Sequence, residues 1–494
     1  MSHKSQHRSD LAHSHLDALI GTLHRPRNWL VLLLFVYLGV ASWHVYKPMP
    51  HGLNARFELK PAHEVEFLVD ASWITSDGDQ AQTTQIFERM LELIDQSERL
   101  IVLEMFLLND FAGEADGAHR PLSSLVVNAL IKQKQKHPGM PVVLITDPFN
   151  RLYGGAESAL LESASSAGIE VIETQLTKLP DSNPAWSGIW RLCCQFLGNS
   201  TSGWLPNPVG GDQVTLRTYL RLLNFKANHR KALVVDQGST LTGLVTTANA
   251  HDASSRHSNV GLVFSGPAAG DLLSTMAATA RFSGSDLSMP TSYSSTDTSS
   301  TMATILTESA IRDQILEILN TARAGDRLDL ALFYLSHRDI ITAITRAQQR
   351  GVALRLLMDP NEDAFGRKKN GIPNRQVALE LHQFGVPIRW CNTRGEQCHY
   401  KHLMHITPSG EASLLIGSAN YTRRNLDGFN LETQALIEAD ASEKVMVDAA
   451  LFFDQRWNNL NDQLHSKDYA AFEDQSQFRY WRYRFMEATG LSTF

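Results

Sequence analysis

The feature that most constrains the fold of this chain is a pattern of helices and strands that occurs twice. In the first copy an amphipathic segment, residues 83–96, precedes an apolar run at 100–108 and a buried strand that ends in ITDPFN. In the second copy the segment 308–322 precedes a strand at 327–335 and a further strand that ends in LMDPNE. Helices that alternate with short β-rich runs are typical of a mixed or parallel sheet covered by helices. The repeat therefore predicts two related α/β halves.

A segment rich in serine and threonine separates the two copies. Residues 283–304 show no apolar period, which predicts a flexible connector and the clearest domain boundary in the chain. We expect the first half to span 62–282 and the second half 305–462. The aromatic and basic segment 463–494 follows, and it could lie at a headgroup surface or dock onto the second half.

The N-terminal part carries a targeting signal. Residues 29–46 read WLVLLLFVYLGVASWHVY, without any Asp, Glu, Lys or Arg. At about 1.5 Å per helical residue this segment is about 27 Å long, close to the apolar core of a bilayer at about 30 Å. We predict a single transmembrane anchor at 29–46, after a cytoplasmic segment 1–28 and before a linker 47–61. A cleaved signal peptide and a buried helix are the alternatives.

Basic residues on either side of the anchor bear on its orientation. Arg25 and Arg27 precede it, and Lys47 follows it. This small excess favours a cytoplasmic N-terminus. The remainder of the chain would then lie on the extracytoplasmic, periplasmic side of the membrane.

Composition limits the classes of partner. The net charge of −7 lacks the basic footprint of a nucleic-acid-binding protein, so no nucleic acid is expected as a partner. The four cysteines show no metal-binding spacing, so we expect no metal. Cys391 and Cys398 are close enough in sequence to form a disulfide, and two reduced thiols are the equal alternative. The sequence does not indicate an oligomeric state.

Each copy ends in a related polar motif. The first copy contains His229 and Lys231 in HRKALVVD, and the second contains His399 and Lys401 in HYKHLMHI. Histidine and lysine are two residues apart in both motifs. On a strand this spacing places the two side chains on the same face.

The asparagines that follow support the repeat. Asn249, in TTAN, lies 20 residues after the first histidine, and Asn420, in GSAN, lies 21 residues after the second. Asn259 and Asn430 each follow ten residues later. Two polar motifs with matching spacing indicate one repeated site.

These residue types fit cleavage of a phosphodiester without a cofactor. A neutral imidazole can attack phosphorus and form a covalent intermediate, while a second, protonated imidazole donates a proton to the leaving alkoxide. Lysine side chains can hold the non-bridging oxygens and stabilise the developing charge. We expect Asn249, Asn420 and Ser418 to bind the same phosphate as additional donors.

The motif HxKxxxxD followed by a G/S-x-N segment, present twice, resembles the phospholipase D superfamily, which includes the cardiolipin synthases. The similarity extends from about Val65 to Asp462. His229, Lys231 and Asp236 match the full motif in the first copy. The resemblance implies two phospholipase D-like α-β-α sandwich halves, related by a pseudo-two-fold axis, whose motifs face one cleft. It also implies a phosphohistidine mechanism, with His229 as nucleophile and His399 as general acid.

The second copy departs from the motif at its acidic position, where Ile406 stands. A catalytic histidine needs a partner that fixes its tautomer and ring orientation. We predict that Glu432 is this partner for His399, and that Asp236 has the equivalent role in the first copy. In this alignment Gly261 occupies the place of Glu432.

We therefore predict a membrane-anchored enzyme that cleaves or transfers phosphatidyl groups, with a phospholipid as substrate and the membrane as partner. Phospholipase D hydrolysis and cardiolipin-synthase-like transfer differ only in the acceptor, and the motifs do not separate them. A nuclease or phosphodiesterase of the same superfamily that acts on nucleic acid is one alternative. A non-catalytic membrane scaffold is another.

Two further features remain open at this level. The aromatic-rich segment 184–208 could be a lipid-contacting flap or an ordinary loop packed on its own domain. Asp147 and Asp359 end matching strands, where their carboxylates could fix the following turn or lie near the cleft.

Overall fold

The computed structural model describes residues 26–111, 119–287, 298–364, 367–492 and 494. Most of the predicted N-terminal segment and residues 288–297 of the predicted connector lie outside the described residues. The strands are β1 (Lys60–Pro61), β2 (His63–Ile74), β3 (Gln80–Thr83), β4 (Ile101–Met105), β5 (Leu108–Asn109), β6 (Val142–Thr146), β7 (Glu170–Glu173), β8 (Lys231–Gln237), β9 (Thr240–Thr246), β10 (Ala250–His251), β11 (Asn259–Ser265), β12 (Met302–Thr307), β13 (Arg327–Leu332), β14 (Ala353–Met358), β15 (Asp363–Ala364), β16 (Arg367–Lys368), β17 (Ile388–Cys391), β18 (Lys401–Ile406), β19 (Glu411–Gly417), β20 (Thr433–Asp440) and β21 (Ser466–Asp468).

Helices cover both sheets, as the repeat predicts. They are α1 (Pro26–Tyr46), α2 (Ile86–Asp95), α3 (Leu122–Lys136), α4 (Ala159–Ser166), α5 (Pro184–Leu192), α6 (Leu216–Leu222), α7 (Pro267–Ser283), α8 (Ser309–Thr321), α9 (Arg338–Gln349), α10 (Asn374–Gln383), α11 (Arg423–Leu426), α12 (Lys444–Asn458) and α13 (Gln477–Thr489).

Each half is built on one mixed sheet, and the two sheets have the same order over seven equivalent strands, from β2 to β7 in the first and from β12 to β17 in the second. The first sheet runs β3-β2-β11-β9-β8-β4-β6-β7, and the second runs β1-β12-β20-β19-β18-β13-β14-β17-β21. In both halves a parallel trio (β4-β6-β7 or β13-β14-β17) joins an antiparallel strand, β8 or β18, that follows the histidine of the motif. The mixed α/β fold with an internal repeat is therefore confirmed.

The two halves share one apolar core. Side chains from the inner faces of both sheets pack together with helices α7 and α12, including Phe264, Met276, Leu414 and Phe452. Helices α2, α3 and α4 cover the outer face of the first sheet, and α8, α9 and α10 cover that of the second. Burial of a large apolar side chain contributes about 1.5–3 kcal/mol. The shared core therefore holds the two sheets, and with them the two motifs, in one arrangement.

The predicted linker differs from its expectation, whereas the C-terminal segment adopts one of its two predicted alternatives. Part of the predicted linker 47–61 joins the second sheet, because β1 pairs with β12 and the Thr307 amide donates to the Ala55 carbonyl at 2.9 Å. In the C-terminal segment, helix α13 docks onto the second half through the fully buried ring of Tyr483, while Trp481 stays exposed.

Helix α1 is long and apolar enough to cross a membrane, with a mean hydropathy of 1.8. Ala41 is the only described side chain of this helix that is buried, so the alternative of a buried core helix is wrong. The second half of α1 packs against α5, where the Tyr37 hydroxyl donates to the Ala185 carbonyl at 3.0 Å. Gly188 permits this close approach, since an added Cβ would lie 2.8 Å from the Tyr37 ring.

Candidate active site

Pairing between the two halves brings the two histidine motifs together. The backbone N–H of His229 donates to the Leu431 carbonyl of the second half at 2.9 Å. In the reciprocal contact, the N–H of His399 donates to the Ser258 carbonyl of the first half at 2.8 Å. Each histidine is therefore held at the boundary between the sheets, two residues before the lysine that begins its strand.

Both imidazoles line one cavity of about 340 Å³, together with Asn249 and Asn420. Burial restricts solvent access, since His229 and His399 are 8% and 6% exposed. Each ring packs edge-on against a phenylalanine, Phe106 or Phe333 respectively, at a centroid distance of 4.9 Å in both halves. The two halves thus contribute equivalent imidazole and phenylalanine rings to one cavity.

The two lysines are fully buried and, unlike the two imidazoles, do not line this cavity. The Nζ of Lys231 donates to the carbonyl of His229 at 2.5 Å, and that of Lys401 donates to the carbonyl of His399 at 3.2 Å. Burial lowers the pKa of Lys231 to about 7, although the nearby carboxylate of Glu432 opposes this shift. Burial and the charge of Lys231 hold the pKa of Lys401 well below its usual range. An anion bound above the two ammonium groups would stabilise their charged forms.

The carboxylate of Glu432 orients His229. Its two oxygens lie 3.0 and 3.1 Å from the imidazole Nδ1, so this nitrogen carries the proton and Nε2 keeps its lone pair. Ser418 and Asn425 donate to the same carboxylate. Burial raises the pKa of Glu432, but its interactions with the His229 imidazole, the charge of Lys231 and the hydrogen bond from Ser418 outweigh burial, and the net shift is downward. The carboxylate is therefore ionised at neutral pH.

An amide, rather than a carboxylate, orients the other imidazole. The Nδ1 of His399 lies 3.1 Å from the Asn259 Oδ1, which also accepts a hydrogen bond from Thr247 at 2.9 Å. The Asn259 Nδ2 donates to the carbonyl of His257 at 3.0 Å, so its oxygen faces the imidazole. His399 thus has the same tautomer as His229 but no adjacent negative charge.

The prediction that Glu432 orients His399 is wrong, because each orienting side chain belongs to the opposite half. Leu431 and Ser258 are equivalent through the reciprocal backbone pairing, so Glu432 corresponds to Asn259 and not to Gly261. The misalignment arose because the loop after the asparagine is two residues longer in the second copy. Asn259 and Asn430 each lie ten residues after the preceding asparagine, but they do not occupy equivalent positions.

Electrostatics keep both imidazoles neutral in the free protein. Burial lowers the pKa of His229 to about 4, against the opposing effect of Glu432. Burial and then the ammonium groups of Lys401 and Lys231 hold the pKa of His399 well below its usual range. Lysines from both halves lower the pKa of the same imidazole, which agrees with one site formed by the two motifs.

Of the predicted phosphate-binding residues, Asn249 and Asn420 line the cavity, and the Oδ1 atom of each is buried without a hydrogen-bond partner. Ser418 does not line the cavity. It is fully buried, donates to Glu432, and accepts the Thr433 amide at 3.0 Å. Its position supports the orienting carboxylate rather than a substrate.

Asp236 lies at the far end of strand β8, away from the imidazoles. Its Oδ1 accepts the backbone N–H groups of Arg99 and Leu100, both at 2.8 Å. A carboxylate in this position fixes the turn before β4 and does not contact His229. The orienting role predicted for Asp236 therefore belongs to Glu432.

This placement makes Asp236→Asn a test of stability. We expect the substitution to lower the free energy of unfolding by about 1–3 kcal/mol, because a buried acceptor of backbone amides is weakened. Thermal unfolding followed by circular dichroism would measure the loss. The kcat of the folded fraction should stay within about threefold of wild type. A large loss of kcat at unchanged stability would contradict the structural role.

Asp147 and Asp359 support the two histidine motifs from below. The Oδ2 of Asp147 accepts the amide of Asn228 at 2.7 Å, and that of Asp359 accepts the amide of Cys398 at 2.8 Å. Each carboxylate also accepts an amide of the turn that follows its own strand, as predicted from the sequence. Cys398 forms a disulfide with Cys391, which fixes the residue directly before His399.

Sequence reasoning missed several residues that complete the site. Asn259 was noted only for its spacing, and no motif pointed to the rings of Phe106 and Phe333. A better alignment of the two copies, which lets their last loops differ in length, would have paired Asn259 with Glu432. Among the described residues, no cluster of three or more His, Cys, Asp or Glu side chains could hold a metal ion.

Comparisons with known proteins bear on this arrangement. Residues 315–457 match the family model described as cardiolipin synthase, PLD-like domain. The phosphatidylserine synthase of Haemophilus influenzae Rd KW20 aligns with 91% of this chain and 98% of its own, at 11% identity and a TM-score of 0.52. No curated protein matches the chain.

Two other solved structures are less similar. The polyphosphate kinase of Porphyromonas gingivalis aligns with 87% of this chain, which spans 53% of the kinase, at 13% identity and a TM-score of 0.44. Nuc, a phospholipase D family member of Salmonella typhimurium, aligns with 34% of this chain and 97% of its own, at 18% identity and a TM-score of 0.27. Residues 315–457, which contain the second motif, therefore match a phospholipase D-like family, and the fold of the synthase agrees with the two repeated α/β halves.

Proposed function

We propose that this protein is a membrane-anchored enzyme that cleaves or transfers the phosphatidyl group of a phospholipid through a phosphohistidine intermediate. The observation that carries the proposal is the single cavity lined by His229 and His399, each with its Nδ1 held by a side chain from the opposite half. Such a pair can act on the two sides of one phosphorus atom.

The unequal partners of the two imidazoles support different roles. As the Nε2 of His229 bonds to phosphorus, the imidazole becomes positively charged, and the adjacent carboxylate of Glu432 stabilises that charge. The bond from phosphorus to the headgroup oxygen breaks, and His399 in its protonated form gives its proton to that oxygen. The bound phosphodiester is negative and raises the pKa of His399, which allows the protonation.

The second step reverses the proton transfer. Water or an alcohol gives its proton to the neutral Nε2 of His399 as its oxygen bonds to phosphorus. The bond between phosphorus and His229 breaks. Water gives phosphatidate, and an alcohol gives a new phospholipid. The charges of Lys231 and Lys401, both of which act on the His399 imidazole, stabilise the negative oxygens during both steps.

Two observations support a membrane location for this chemistry. Helix α1 has the length and composition of a single anchor. The disulfide between Cys391 and Cys398 is of the kind that persists in oxidising compartments, which agrees with an extracytoplasmic catalytic domain.

The aromatic segment beside α1 supports contact with the membrane surface. Helix α5 packs on α1, and the segment that follows it exposes Phe196 and Trp204 at 76% and 58%. A cavity lined by Trp190, Tyr153 and Lys226 extends from this region, and it shares the last two residues with the cavity of the histidines. We propose that the segment lies in the membrane interface and that lipid enters from this side.

Products distinguish the proposed activity from its alternatives. Purified full-length protein would be incubated with phosphatidylglycerol vesicles or with short oligonucleotides, with and without added glycerol, and the products identified by mass spectrometry. We expect phosphatidate or an exchanged phospholipid from the vesicles and no cleaved oligonucleotide. Cleavage of the oligonucleotide alone would favour a nuclease, and no product from either would favour a scaffold.

The membrane contact makes a separate prediction. The double substitution Phe196→Ser and Trp204→Ser should lower the rate on vesicle phospholipid about tenfold, because the segment loses apolar surface that the interface would bury. The rate on a water-soluble short-chain phosphatidylcholine should not change. Leu451→Ser, at an exposed leucine of α12, is the matched control. An equal loss on both substrates would contradict the membrane contact.

A further inference from the structure

One cation in the active-site cavity, Arg424, forms no salt bridge within the described part of the chain and has no role in the proposed reaction. Arg424 lines the cavity, yet it is only 8% exposed. Its Nη2 donates to the carbonyls of Gly490, at 3.2 Å, and Ser492. The Nε atom is buried without a hydrogen-bond partner, and no carboxylate of the described residues forms a salt bridge with this guanidinium.

A buried cation without a counter-ion is costly for the folded protein. Buried charges are normally paired, and an uncompensated one destabilises the fold. Two neutral carbonyls and the ring of Phe225, 5.1 Å from the guanidinium carbon, satisfy Arg424 only in part. Burial lowers the pKa of Arg424 to about 10, so it stays charged at neutral pH. The Glu487 carboxylate acts on the guanidinium only through its charge, without a salt bridge, so the Nε donor of Arg424 is left for a bound anion.

The position of Arg424 is not part of the repeated catalytic unit. It lies four residues after Asn420, and four residues after Asn249 the first half has Ala253. The next residues, Asn425 and Ser254, line the cavity in both halves, so the two loops correspond. Each half supplies one histidine and one lysine for the reacting phosphate, but only the second half supplies an arginine at this position.

The cavity has room for more than the reacting phosphate. The cavity of about 340 Å³ shares its lining residues Tyr153 and Lys226 with a neighbouring cavity of about 370 Å³. Lys369 of the second half also lines the first cavity, with its Nζ bonded to the Tyr334 hydroxyl. The wall contributed by the second half is therefore cationic beyond the catalytic lysines.

We infer that Arg424 binds a second phosphate of the bound substrates, separate from the phosphate that reacts. The inference rests on the proposed function and narrows its substrate class to molecules that carry an additional phosphate. A guanidinium presents paired N–H donors that match two phosphate oxygens, and this makes arginine better suited to the role than lysine. The additional phosphate belongs to either the acceptor alcohol or the donor headgroup.

The test compares substrates that differ in one phosphate. Full-length wild type and Arg424→Gln would be assayed with glycerol, glycerol 3-phosphate and short-chain phosphatidylglycerol as acceptors. Short-chain phosphatidylcholine and phosphatidylglycerol phosphate would be compared as donors. We expect Arg424→Gln to raise KM about 10–100-fold for the phosphate-bearing member of one series, with kcat little changed, because a charged hydrogen bond is lost. The KM of the neutral or single-phosphate member should stay within about twofold.

Arg423→Gln is the matched control. Arg423 precedes Arg424 on the same short helix, but it packs on the ring of Phe429 outside the cavity and should show no selectivity. Arg424→Lys should recover part of the lost affinity. The series that is affected identifies the molecule that carries the second phosphate.

Other outcomes separate the two proposals. Equal KM values for Arg424→Gln and wild type, or equal losses on all substrates, would overturn the second phosphate site and leave the proposed function intact. A wild-type protein without turnover on any of these lipids would overturn the proposed function, and the second site with it.

Discussion

Replacing His229 with alanine is expected to abolish formation of the covalent intermediate and to lower kcat by more than about 10³-fold, since it removes the imidazole that Glu432 orients. His399→Ala should lower kcat by about 10²–10⁴-fold on a natural phospholipid, which is the usual contribution of a general acid. The two variants should differ in whether an activated substrate restores their turnover. A nitrophenyl phosphodiester has a leaving group that needs no proton, so it should recover turnover in His399→Ala but not in His229→Ala.

The measurement combines kinetics with identification of the phosphorylated residue. Rapid acid-free quenching, proteolysis and mass spectrometry should locate the phosphoryl group on His229 in wild type and in His399→Ala treated with the activated substrate. His405→Ala is a suitable control, because His405 lies on strand β18 but pairs with Asp326 at 2.9 Å, outside the cavity. A phosphoryl group on His399, or a kcat within tenfold of wild type in both variants, would contradict the assignment of His229 as nucleophile.

Glu432→Gln is expected to lower kcat by about 10³–10⁴-fold, the loss seen when an orienting carboxylate of a catalytic histidine becomes an amide. Three donors converge on this carboxylate: His229, Ser418 and Asn425. Glutamine offers one oxygen, and its NH₂ group would face a donor, so the pair would misalign. The negative charge that stabilises the phosphorylated imidazole would also be lost.

The equivalent residue of the other half gives the comparison. Asn259→Ala removes a neutral acceptor from His399, and we expect a smaller loss of about 10–100-fold in kcat. Single-turnover measurements should show slower phosphoenzyme formation in Glu432→Gln even with an activated leaving group, whereas that substrate should largely rescue Asn259→Ala. Equal losses in the two variants, both rescued, would contradict the assigned asymmetry.

Much of the fold and part of the site follow from local patterns in the sequence. The apolar periods of residues 83–96 and 308–322 correspond to helices α2 and α8 because amphipathic helices bury one face wherever they pack. Polar residues that recur in two copies at matched spacing, such as His229 and His399, indicated a shared site because the two strands they precede are equivalent. The apolar segment 29–46 lies within helix α1 for an equally local reason.

Only the tertiary structure decided which side chains meet. Glu432 contacts an imidazole 203 residues away because the halves exchange backbone hydrogen bonds at Leu431 and Ser258, and no periodicity encodes that exchange. Asp236 belongs to the sequence motif but lies outside the site. It stands at the far end of β8, where it accepts backbone amides of the turn before β4. The packing of the two halves also left Arg424 buried beside the cavity, with no salt bridge to any described carboxylate. The sequence determined which residues were available for chemistry, and the contact between the two sheets determined which of them act together.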